Sequence, residues 1–67
     1  QYRINWKPKK KQWHVIDHNN ELIEGFEKEE DAMKKARIVA RKNRPSSVIK
    51  TTEDGEIEVQ SYPKIPL

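Results

Sequence analysis

Cysteine is absent from the 67 residues, so neither a disulfide nor a thiolate metal site can reinforce a small core, and nothing marks the chain for an oxidising compartment. Apolar residues are scarce as well, at 33% against 37% charged, and no run of them approaches the roughly 18 needed to span a bilayer. No apolar signal core stands behind the positive charges at the N-terminus. A cytoplasmic protein that makes no use of a membrane is therefore expected. The start at Gln1 in place of methionine leads us to expect a trimmed N-terminus. What the chain does have is a set of large anchors, Tyr2, Trp6, Trp13, Phe26 and Tyr62, which a disordered tail would lack. One folded domain follows, with thin stability, since a chain of this length buries only about 60% of its unfolded surface. The net charge of +3 favours polyanions only mildly.

Local patterns lay out the elements. Tyr2-Arg3-Ile4-Asn5-Trp6-Lys7 alternates apolar with polar, as a half-buried strand does, with Tyr2, Ile4 and Trp6 facing the core. Pro8 ends the ladder, residues 8–11 form a hairpin loop, and Trp13-His14-Val15-Ile16 resumes the strand. His18-Asn19-Asn20 makes a second reversal, because Asn tolerates positive φ, and residues 21–26 form a third, weaker strand.

A helix is expected over residues 29–43. Acids from Glu24 to Asp31 precede or open it, bases from Lys34 to Arg44 follow, and Asn43-Arg44-Pro45 stops it. Acids at the N-terminus and bases at the C-terminus each gain roughly 0.3–1 kcal/mol from the helix dipole, so this sorting is structural before it is functional. At about 100° per residue, Ala32, Met33, Ala36, Val39, Ala40 and Asn43 share one side, and small residues there let the helix lie close to a sheet.

Two short strands end the pattern, residues 48–52 and 56–61. A three-residue loop with Gly55 in the left-handed position of a bulge would pair Thr51 with Ile57 and Ile49 with Val59, collecting Ile49, Ile57 and Val59 on one buried face. The expected fold is α+β, a small antiparallel sheet in the sequence order β-β-β-α-β-β with one helix packed on one face. Residues 1–62 form the domain, and residues 63–67, punctuated by Pro63 and Pro66, form an extended tail.

From Trp13 to Tyr62 the succession Trp13-x-Val15, Phe26-x-Lys28-Glu29-Glu30-x-Ala32, Ala36-Arg37-x-Val39-Ala40-Arg41, Val48-Ile49, Asp54-Gly55-x-Ile57 and Ser61-Tyr62 resembles the bacterial family named domain of unknown function 2188. The resemblance implies a small α+β fold and a bacterial or phage origin, and it carries over no catalytic residue. The chain departs from the family's usual pattern in its extension past Tyr62 and in Ile38, where a polar residue is more usual.

Catalysis finds no support in the residues. His14 and His18, four apart on or beside a strand, stand about 13 Å from each other, too far to share a metal. The serines have no histidine placed to activate them. No enzyme activity, metal or cofactor is expected. Binding residues are easier to name. Arg3, Asn5, Lys7, Gln12 and His14 point away from the core together, and Arg, Asn and Gln are side chains that read base edges bidentately. Three strands followed by a helix is also the order in the sheet-reading DNA-binding domains of some phage integrases, an analogy of fold alone. With Lys9, Lys10 and Lys11 these residues make the first candidate site, for DNA or RNA. The same lysines at a hairpin tip also keep a sheet edge soluble.

The second candidate is the solvent side of the helix. There Lys34, Arg37, Arg41 and Lys42 surround Ile38, a hydrophobic anchor ringed by cations that suits an acidic protein surface. The sequence thus points to a non-catalytic small binding module, associated with nucleic acid through the hairpin and outer sheet face. A protein-interaction or regulatory module using Ile38 is the alternative. A monomer or weak homodimer is expected.

Overall fold

The computed structural model describes residues 1–65. Pro66 and Leu67, the end of the expected tail, lie outside the described residues. Strand β1 (Tyr2–Lys7) turns back at Pro8, where the Lys10 N–H donates to the Lys7 carbonyl at 3.1 Å and Lys11 takes φ 52. Strand β2 (Gln12–Ile16) then pairs antiparallel with it, Trp6 facing Trp13 and Ile4 facing Val15. The next turn is organised by Asp17, whose carboxylate accepts the Asn19 and Glu21 N–H groups at 2.8 and 3.0 Å while Asn20 sits at φ 64. Strand β3 (Leu22–Phe26) follows on the far side of β2.

Helix α1 (Glu29–Lys42) forms for the reasons its charges suggest. Glu29, Glu30 and Asp31 fill the first turn, where Lys28 offers no side-chain cap, and Arg41 and Lys42 fill the last. Asn43 closes the helix, its side-chain amide donating to the Val39 carbonyl at 2.8 Å. Ala32, Ala36 and Ala40 are fully buried one turn apart, and the core they complete consists of Tyr2, Ile4, Val15 and Val48, with Trp13, Phe26, Met33, Val39 and Tyr62 packed around it.

Strands β4 (Ser46–Thr52) and β5 (Gly55–Tyr62) complete a five-stranded sheet in the order β3-β2-β1-β4-β5. Class and element order are those expected, but the sheet is mixed and not wholly antiparallel. β1 and β4 run parallel, Tyr2 beside Val48 and Ile4 beside Lys50. Helix length explains this. Fourteen residues span about 21 Å, close to the length of a strand, so α1 returns the chain to the end of the sheet from which β1 starts.

Two further expectations fail. The β4–β5 turn falls on Glu53 and Asp54, closed by Thr52 opposite Gly55, so the three apolar residues do not share a face: Ile57 pairs with Lys50 and is 55% exposed, Ile49 is buried beside Arg3 on the face turned from the helix, and Val59 packs against the core. A register shift between Val48 and Ile49 absorbs one residue of β5, and beyond it Val48 pairs with Gln60. Mixing Lys50 with an apolar partner is tolerated because its ammonium reaches the Glu29 carboxylate at 2.5 Å and lies 5.6 Å over the Trp13 ring. Trp6 is the other failure. It faces the helix side as alternation requires, yet is 43% exposed, packed against Trp13 at 5.2 Å between ring centroids.

Candidate functional site

The strand pairings place Arg3, Asn5, Lys7, Gln12 and His14 on one face of the sheet, the one turned away from α1. Lys7 pairs with Gln12, Asn5 with His14, and Arg3 with Ile16. The side chains are not equally available there. Arg3 Nε donates to Glu56 Oε2 at 2.5 Å and its Nη2 to Gln1 Oε1 at 3.3 Å, so its charge is met by β5. His14 is only 8% exposed and lies within 3.3 Å of Gln12 Oε1. It can lie flat because Gly25, its partner on β3, has no side chain; a Cβ there would stand 2.8 Å from Gln12 Oε1 and 3.3 Å from His14 Cδ2. Burial, and then the ammonium groups of Lys10 and Lys7, hold the His14 imidazole below its ordinary value, so it is neutral at pH 7.

The free charge therefore gathers at the hairpin. Lys9, Lys10 and Lys11 are exposed, and none of them, nor Lys7, forms an ion pair among the described residues. A cleft of about 380 Å³ between Lys7, Lys10 and His14 lies on one flank of the loop. On the other flank is an open crevice of about 610 Å³ bounded by Asn5, Trp6, Lys7 and Pro8 on one lip and by residues 50–53 on the other, with Trp13 between them. Asn5 Oδ1 is shielded from solvent and has no hydrogen-bond partner among the described residues.

Lys50, Thr51, Thr52 and the two indoles were not among the sequence-derived site residues. Alternation identifies a strand's faces, but only the parallel β1–β4 pairing sets the ends of these distant segments side by side. A pattern of one helix between two hairpin units is the available signal for such a pairing.

The helix candidates are split by the structure. Lys34, Arg37, Ile38 and Arg41 line a shallow groove of about 380 Å³ together with Tyr62 of the edge strand, and Ile38 is 45% exposed within it. Lys42 is exposed but does not line this groove. Arg44 stacks over Tyr62 at 5.3 Å, and Lys35 approaches Glu24 at 3.9 Å on the opposite flank. Among the described residues no group of three or more His, Asp or Glu side chains could hold a metal ion, and no helix is long and apolar enough to cross a membrane.

One helix over a five-stranded mixed sheet, with its two hairpin units meeting at a parallel central pair, defines a small α+β domain class. Within it, the chain belongs to DUF2188, a family described as an uncharacterized protein conserved in bacteria, whose model matches residues 2–61. No curated protein and no solved structure matches the chain.

Proposed function

We propose that the protein is a non-catalytic nucleic-acid-binding module whose contact surface is the β1–β2 hairpin and the sheet face beside it. The observation that carries this reading is the group of cations Lys7, Lys9, Lys10 and Lys11 on one loop, unpaired among the described residues, with amide side chains of Asn5 and Gln12 adjoining. Phosphate contacts from such a loop supply affinity and register, while the adjoining amides offer donors and acceptors to base edges. The absence of catalysis is part of the proposal.

Fluorescence anisotropy with duplex and single-stranded oligonucleotides tests the reading. Affinity is expected to fall steeply with salt, and replacing Lys9, Lys10 and Lys11 by Gln reduces the slope of log K against log salt by about 0.7–0.9 per lost phosphate contact. No binding of any oligonucleotide at about 50 mM salt refutes it.

A second reading rests on a separate observation, the half-exposed Ile38 beside Tyr62, with Lys34, Arg37 and Arg41 around it unpaired among the described residues. That groove suits an acidic protein surface carrying one apolar side chain. Recovery of one dominant partner that Ile38→Glu abolishes supports it. Unchanged recovery returns the groove to a structural role.

A further inference from the structure

The crevice beside the hairpin exists because of topology. β1 and β4 lie parallel as far as Ile4 and Lys50, and from there the chain leaves β1 toward β2 on one side and β4 toward β5 on the other. Two hairpins therefore diverge from the C-terminal ends of one parallel pair. The divergence leaves a crevice between the two hairpins that no side chain fills. Its volume of about 610 Å³ falls in the range of about 300–1,000 Å³ usual for small-ligand pockets.

Its lining specifies a ligand chemistry. Trp6 offers a half-exposed indole whose tilt is fixed by Trp13 at 5.2 Å and 50°. An indole held in this way is a stacking platform for a planar ring. Asn5, the neighbouring residue, points to the other face of the sheet with its Oδ1 shielded from solvent, so recognition in the crevice is by stacking and charge. Lys7 on the near lip continues into the cations of the hairpin, so an anionic chain leads away from the crevice on that side only.

We propose that the crevice between the two hairpins receives one unstacked nucleobase of a single-stranded nucleic acid, stacked on Trp6, while its phosphates run along Lys7 and the loop lysines. The inference rests on the nucleic-acid reading above and adds to it the strand form and the place where a base is held. A paired base cannot enter, because both its Watson–Crick edge and its faces are occupied in the duplex. Single strands are therefore bound in preference to duplexes of equal phosphate number.

The test titrates the intact chain with a short single-stranded oligonucleotide, with an abasic oligonucleotide of equal length, and with the duplex, following tryptophan fluorescence and anisotropy together. Quenching of tryptophan by the base-bearing strand only is expected. Trp6→Leu weakens single-strand binding on the order of 10- to 100-fold, the size of a lost stacking contact, with the salt slope unchanged, and Trp6→Phe restores most of it. The comparison of abasic with base-bearing strands uses the unaltered chain, so the outcome does not depend on the fold surviving a change at Trp6. Equal binding of abasic and base-bearing strands, or full affinity in Trp6→Leu, overturns the crevice and leaves the hairpin reading intact. No binding of any of the three refutes both.

Discussion

Glu56→Gln distinguishes a nucleic-acid footprint that covers the sheet face from one confined to the hairpin. In the structure Glu56 holds Arg3 at 2.5 Å, with their side chains 47% and 29% exposed. A pair this open to solvent contributes only about 0–1 kcal/mol to folding, so the substitution leaves the domain folded. It releases one guanidinium on the face that carries Asn5, Gln12 and His14. If that face lies against nucleic acid, one phosphate contact is gained, and the slope of log K against log salt steepens by about 0.9 for duplex or 0.7 for single strands. At about 0.1 M salt this amounts to a five- to eightfold gain in affinity. Anisotropy titrations between about 50 and 200 mM salt measure both quantities. Glu30→Gln, on the helix at the opposite face, controls for net charge, and it changes affinity with no new contact. Equal slopes in Glu56→Gln and the control show that the sheet face does not touch the ligand, leaving only the hairpin and the crevice.

Three further outcomes follow from the turns and from the buried histidine. Lys11 occupies φ 52 without being glycine, so Lys11→Gly relieves a left-handed conformation and raises stability by about 0.5–1 kcal/mol after the entropy of glycine is charged against it; a lower melting temperature refutes this. Asp17→Ala removes an oxygen that accepts two backbone N–H groups and lowers stability in urea by about 1–2 kcal/mol, while Asp17→Asn retains most of it. No loss in the alanine variant shows that the turn is set by Asn20 alone. His14 is held below its ordinary value of about 6.5, by burial and then by Lys10 and Lys7, so the unfolded chain takes up a proton that the folded one refuses. Stability is then level above about pH 7.5 and declines as pH falls through about 6.5, and thermal melts of His14→Gln lack that decline. Parallel melting curves for the two proteins contradict it.

Elements whose causes are local were legible in the sequence. The helix was expected over residues 29–43 and runs from Glu29 to Lys42, since dipole-sorted charge, a stripe of alanines and the Asn43-Arg44-Pro45 stop all act within a few residues. Both reversals of the first sheet unit were legible for the same reason. What escaped was set by partners far apart in the chain. The Arg3–Glu56 pair joins positions 53 apart, and the β1–β4 pairing depends on where a 14-residue helix delivers the chain. His14 was expected to project, and its burial depends on the missing side chain of Gly25 across the strand. The β4–β5 register differs from the expected three-residue loop because Gly55 joins the strand opposite Thr52, leaving Glu53 and Asp54 as the turn, and the extra residue is absorbed further along at Val59.

These long-range settings also decide which residues can act together. Arg3 and His14 drop out as freely charged groups, one met by Glu56 and the other neutral under Gly25. The remaining charge lies on the loop, and the exposed indole lies beside it, because Lys7 and Pro8 border both flanks of the hairpin. A chain of phosphates following the lysines thus passes the mouth of the crevice with no bend in the protein, and the phosphate contacts and the stacking contact reinforce each other as two parts of one tethered ligand. Such coupling has a measurable sign. Combining Trp6→Leu with the triple lysine replacement costs less than the two single effects summed, because once either contact is lost the other no longer benefits from the tether. Strict additivity places base and phosphates on independent sites, and the crevice then takes a ligand of its own.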